Sequence, residues 1–210
     1  MGVIKRGILG GFSNKVGNVV GSTWKGIAVV KSMPLSVANP KTAGQVKQRT
    51  FFKEMTTLAS AVLSPIIKPL WDRFASNMSG YNSFISTNRI AINASGNIEH
   101  TKLQFGKGRM LAPTIGTVSS SGTNKTFPLT NPTACKYGLP SDKIYVVCMD
   151  RTTNDVYYSG ITSTSRGSGS TASATVTLGN GFVAGGSCDC FAGYVRADGS
   201  EVSGSAYKVG

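Results

Sequence analysis

The sequence predicts an α+β chain in which a basic β-hairpin arm and a helical segment precede an immunoglobulin-like β-sandwich. Three observations lead there. Apolar residues pass from short valine-rich runs to helical spacing, with Phe51, Met55, Leu58 and Val62 recurring at intervals of four, three and four. Beyond residue 112 the chain is rich in Ser, Thr, Gly and β-branched residues, and turn signals divide it. The charge divides near the same point. Residues 1–110 hold fifteen Lys and Arg against three acids (Glu54, Asp72, Glu99), and residues 111–210 hold seven against six. A split of this kind marks two modules with different partners.

Residues 1–38 read as a glycine-rich hairpin arm. Val16, Val19 and Val20 form one apolar run, and Trp24 with Ile27, Ala28, Val29 and Val30 form another. Gly21-Ser22-Thr23 between them suits a turn. Residues 39–92 read as helical. Asn39-Pro40 supplies a cap followed by proline at the first helical position. Ser64-Pro65 predicts a break or kink. A second helix would carry Ile66, Ile67, Leu70, Trp71 and Phe74, and Ser79-Gly80 would stop it. A short third helix would hold Tyr81, Phe84, Ile85 and Asn88. Residues 93–112, with Gly96, Gly106 and Gly108, read as a linker.

Residues 113–210 offer strands at 114–119, 126–130, 143–149, 156–162, 172–178, 188–196 and 201–208. Pro128 demotes the second of these to an edge strand. About seven short strands in such a length fit the immunoglobulin-like class of sandwich. The Cys…Trp…Cys core of true immunoglobulin domains is absent, because Trp24 and Trp71 both lie in the first half.

Chemistry-bearing motifs are sparse. His100 is the single histidine and is expected to be exposed in the linker. No G-x-S-x-G elbow, H-E-x-x-H, EF-hand loop or P-loop occurs. Asp142, Asp150, Asp155, Asp189, Asp198 and Glu201 could supply a carboxylate pair, but most fall in turn-like sequence, where Asp caps backbone. Cys135, Cys148, Cys188 and Cys190 contain no CxxC spacing. They read first as small apolar side chains, with zinc or a disulfide through Cys135 or Cys148 as alternatives. In a strand, Cys188 and Cys190 would share a face. No enzyme, cofactor or resident metal is expected. Neither a membrane-spanning run nor a secretory leader is expected.

The first acid is Glu54, and nine cations precede it. Phosphates or another acidic surface would neutralise Lys5, Arg6, Lys15, Lys25, Lys31, Lys41, Lys47 and Arg49. Simple solvation of a charged face is the plainer alternative. The apolar positions Trp24, Phe51, Met55, Leu58, Val62 and Trp71 are core candidates that could instead pack against neighbouring subunits.

The opening, from Met1-Gly2-Val3-Ile4-Lys5-Arg6-Gly7 through Trp24-Lys25-Gly26, resembles a family of uncharacterised proteins of about this length. They come from gut-type bacteria, their prophages and phages. Val29-Val30-Lys31-Ser32-Met33-Pro34, Asn39-Pro40-Lys41-Thr42, Gln45 to Arg49, and the ending Asp198-Gly199 through Tyr207 follow the same pattern. The resemblance implies a phage-associated, non-enzymatic virion component: a ring, neck, tail or capsid-bound protein. Its implied partners are copies of itself and other virion proteins, with packaged DNA as a further candidate and no membrane. A nonspecific nucleic-acid-binding protein and a surface or carbohydrate-binding adhesin are the competing expectations.

Overall fold

The structure, a computed structural model, describes residues 2–3, 11–133, 135–179, 181–182 and 186–210. It divides into two compact units, Met1–Thr42 and Ala43–Gly210. The division falls a few residues after the arm boundary at 38 that the sequence suggests.

The first unit is one antiparallel sheet. Its strands are β1 (Gly2–Val3), β2 (Asn14–Val16), β3 (Val19–Trp24) and β4 (Ile27–Ser32), in the order β1-β4-β3-β2. The turn expected at Gly21-Ser22-Thr23 is strand interior, with Gly21 paired to Asn14 and Val30. The chain reverses at Gly17-Asn18 and Lys25-Gly26 instead. Lys25 and Gly26 both have positive φ, +48° and +79°, as a two-residue type I′ hairpin requires. Gly21 answers to a different need. A Cβ there would meet ring carbons of Phe12 at 2.6 and 2.7 Å, so glycine lets the preceding segment lie against the sheet.

In the second unit α1 (Ala43–Ala61) starts three residues after Pro40 and buries the expected stripe of Phe51, Met55 and Leu58, continued by Val62. Pro65 does not end the helical path. The path widens into a π-turn over Leu63–Ile67, where the amides of Ile66 and Ile67 both donate to the Val62 carbonyl at 3.1 and 3.0 Å. The extra residue accommodates a position that has no N–H to give. The chain then runs through α2 (Lys68–Trp71) and a 3-10 turn at Asp72–Phe74. Ser79-Gly80 opens α3 (Gly80–Asn88) as well as closing what precedes it: Ser79 Oγ accepts from the Asn82 amide at 3.3 Å.

The linker expected at 93–112 is core. Ile98, Leu103, Phe105 and Met110 are buried. The buried Asn88 side chain holds this segment like a strand neighbour: its Nδ2 donates to the Gln104 carbonyl at 2.9 Å and its Oδ1 accepts the Gln104 amide at 2.7 Å. Trp71 Nε1 donates to the Phe105 carbonyl at 2.8 Å. Phe105 joins a chain of ring contacts from Trp71 and Phe84 on the helices to Phe191 and Tyr207 on the sheet. Helices and strands therefore share one core, which separate helical and sandwich domains would not.

Two antiparallel sheets complete the unit. The first comprises β5 (Thr114–Ile115), β6 (Ser119–Ser121), β7 (Asn124–Thr130) and β10 (Thr171–Thr177), ordered β10-β7-β5 with β6 also on β7. The second comprises β8 (Lys143–Met149), β9 (Val156–Ser165), β11 (Asp189–Val195) and β12 (Ala206–Val209), ordered β12-β11-β8-β9. Pro128 stands in a central strand, contrary to the edge position expected. Its carbonyl accepts from the Gly116 amide at 2.8 Å, so its N and O face the gap between β5 and β6, where a missing donor costs nothing.

Strands β8 and β11 are buried on both faces. Tyr145, Val147, Met149, Phe191 and Val195 pack with the helices. Ile144, Val146, Cys148, Cys190, Ala192 and Tyr194 pack with the first sheet. The second sheet is thus the middle layer of three. Opposite Tyr145 stands Gly193, where a Cβ would collide with the tyrosine ring. Gly193→Ala is expected to lower unfolding free energy by about 1–3 kcal/mol, as overpacking does. In a Tyr145→Ala background the same change should cost far less. Urea unfolding of the four proteins of this double-mutant cycle checks both expectations.

Candidate functional site

Cations expected at a partner surface lie on the outside wherever the structure describes them. Lys15, Lys25, Lys31, Lys41 and Arg49 are exposed and Lys47 is half-buried; Lys5 and Arg6 lie outside the described residues. Backbone register sets Lys15 opposite Val20 and Val20 opposite Lys31, so two lysines flank one valine on one face of the arm sheet. On α1, Arg49 and Lys53 are exposed one turn apart, away from the buried stripe.

The positions considered for subunit packing are placed otherwise. Phe51, Met55, Leu58, Val62 and Trp71 are at most 2% exposed within the second unit's own core and offer nothing to a neighbour. The side chain of Trp24 lies outside the described residues. Among the described residues of the first unit, the large apolar side chains that do face outward are Val16, Val19, Ile27, Met33, Leu35 and Val37. Among the described residues of that unit only Gly21 and Val29 are buried.

A buried polar centre forms around His100, which is 7% exposed rather than open to solvent. A 3-10 turn, His100–Lys102, presents the ring to the start of β11. Nδ1 lies 2.6 Å from Asp189 Oδ2, and Nε2 lies 2.6 Å from Asn154 Oδ1. Asp189 also accepts from Arg151 Nη2 at 2.7 Å and from the Tyr207 hydroxyl at 3.0 Å. Burial pushes the Asp189 carboxyl up, but the hydrogen bonds from Arg151, His100 and Tyr207 outweigh it and leave its pKa lowered. Arg151, Asp189, Tyr207 and His100 border an open cleft of about 340 Å³. Both ring nitrogens of His100 are engaged, so the ring is held as a pin between three segments. A free base would need one nitrogen open to a substrate. No spacing in the chain announces this centre, since His100 and Asp189 are 89 residues apart.

A second buried centre lies between the two sheets. Cys148 and Cys190 stand directly opposite each other on β8 and β11, and Cys188 approaches the same point. Hydrogen bonds from the thiols of Cys148 and Cys190 hold the Cys188 thiol well below the ordinary cysteine range, and the same contacts push Cys148 up. Lys125 lies on the core-facing row of β7 with Phe127 and Leu129, 2% exposed. Strict alternation along β7 could have marked that lysine as facing inward. Cys135, the fourth cysteine, is half-buried and free.

Among the described residues no helix is long and apolar enough to cross a membrane. The chain is an α+β protein with a sheet arm and a helix-covered pair of sheets, and it carries two buried polar centres. It belongs to the family of unknown function DUF6266, whose model matches residues 11–210. No curated protein matches the chain.

The His100 centre predicts a pH dependence. Because the folded pKa of Asp189 is depressed, its contribution is complete above about pH 5 and is lost as pH falls through the folded value. Asp189→Asn is expected to cost about 2–3 kcal/mol at pH 7. That difference should narrow below about pH 4. Urea titrations of both proteins across this range check it.

Proposed function

We propose that this protein is a non-enzymatic structural component of a phage-like particle, a ring, neck, tail or capsid-associated protein. In this reading it assembles as a homo-oligomer through its arm, with the basic half facing packaged DNA or an acidic protein surface. One observation carries the reading: the arm is a four-stranded sheet in which, among the described residues, only Gly21 and Val29 are buried. Its four strands contain 17 residues. Ordering a strand residue costs about 1–2 kcal/mol, which apolar burial must offset. A sheet of three or more strands needs a covered hydrophobic face to be stable by itself. Association that covers Val16, Val19, Ile27, Leu35 and Val37 would supply the missing burial.

The second unit has ample core of its own and serves as the body. The strand order, β10-β7-β5 facing β12-β11-β8-β9, supports reading its β-part as an immunoglobulin-like sandwich. Strands of the first sheet correspond to A, B and E of that class, and those of the second to G, F, C and C′. The helices would then cover the outer face of the GFC sheet.

Light scattering on the full chain is expected to show an oligomer, and a chain beginning at Ala43 is expected to be a folded monomer. A full chain that stays monomeric at every concentration contradicts the proposal. The lysine pair beside Val20 favours nucleic acid as a second reading. If five phosphates are contacted, binding to duplex DNA should fall with a log–log salt slope of roughly −4.5, and Lys15→Glu with Lys31→Glu should remove about 2 from its magnitude. Absence of binding at low salt would leave an acidic protein surface as the partner.

A further inference from the structure

Three of the four cysteines converge inside the second unit. The sulfurs of Cys148, Cys188 and Cys190 all lie within 4.8 Å of one another, and Cys188 Sγ is 3.4 Å from Cys190 Sγ. None of the three residues is more than 1% exposed. Three thiols in an apolar interior would pass as small core side chains were it not for Lys125. Its ammonium donates to the Gly186 carbonyl at 3.1 Å and lies 5.4 Å from the Phe182 ring centre. Among the described residues no carboxylate pairs with it. A buried ammonium is costly without a counter-charge, and that charge falls to the thiols buried between the same two sheets.

We propose that Cys148, Cys188 and Cys190 form a binding site for one copper(I) ion. Thiolates are soft ligands, and the first-row ions that prefer them are copper(I), zinc and iron in clusters. A structural zinc ion takes four ligands in a tetrahedron. Here the group contains three, with no fourth His, Cys, Asp or Glu among the described residues and no exposed face for water. Copper(I) is content with two or three sulfurs. Charge points the same way. One copper(I), two thiolates and the Lys125 ammonium sum to zero, and the third sulfur remains a neutral thiol. Metal–sulfur bonds of about 2.3 Å place sulfurs roughly 4 Å apart, inside the spacing already present. Binding sends the displaced thiol protons to solvent and changes no oxidation state.

The test uses the full-length reduced protein without oxygen. One equivalent of copper(I) is added, the sample is desalted, and a colorimetric copper(I) chelator then competes for the metal. Retention of one copper per chain and a raised Tm are expected, with zinc(II) offered in the same way not retained. Cys188→Ser and Lys125→Met should each weaken retention at least tenfold, and Cys135→Ser should leave it unchanged. Far-ultraviolet circular dichroism confirms that each variant is folded, and the wild-type result stands without them. No retention of copper(I), retention of zinc(II) in its place, or equal loss in Cys135→Ser would overturn the proposal.

Discussion

Everything in the second unit depends on two strands that must be apolar on both faces. β8 and β11 lie side by side in the middle layer, and neither presents a face to solvent. One row of their side chains meets the helices and the other meets the first sheet. This is why the segment Ile144-Tyr145-Val146-Val147-Cys148-Met149 has no polar alternation. It is also why Gly193 stands opposite Tyr145: a ring filling one face requires an empty position beside it. A middle layer of this kind fixes what can lie above it. The aromatic chain from Trp71 to Tyr207 is the contact between helices and sheet, and the segment around Phe105 completes it.

The arm obeys the opposite rule. Its strands are short, its turns are well formed and its outward residues mix valines with lysines. Tight two-residue turns explain how the sheet takes shape. They do not explain what makes it persist, because backbone pairing contributes little net stability where water competes for the same groups. A chain with one self-sufficient unit and one dependent unit is suited to assembly. In the proposed assembly the body arrives folded, and the arm gains its stability from what it meets.

Much of this fold was legible in the sequence because periodicity reports burial directly. The stripe Phe51, Met55, Leu58, Val62 and the strands 143–149 and 156–162 appear where the spacing placed them. Periodicity does not report what covers a buried face. The same stripe was therefore open to a reading as a subunit contact, whereas the second unit covers it from within. Residues 93–112 have no period at all. Ile98, Leu103 and Phe105 are buried by partners distant in the chain, and glycines made the segment read as a linker. Pro128 misled for a local reason, since one missing donor matters only on a side that has a neighbour. The two buried centres were the least legible. Asn154, Arg151, Asp189 and Tyr207 come to His100 through the sheet order, and no spacing encodes that meeting. The Cys188-x-Cys190 pair did foretell a shared face, but not the opposing Cys148 or the inward Lys125.

The central claim is that one unit holds itself together and the other is held by association. Hydrogen exchange measured by mass spectrometry on the full chain, across a wide dilution series, tests it most directly. Amides of 143–149 and 189–195 should be slowest at every concentration. Amides of 19–32 should be protected when the protein is concentrated and should exchange rapidly once it is dilute. Arm amides that stay as protected as the middle layer at the greatest dilution would contradict the account.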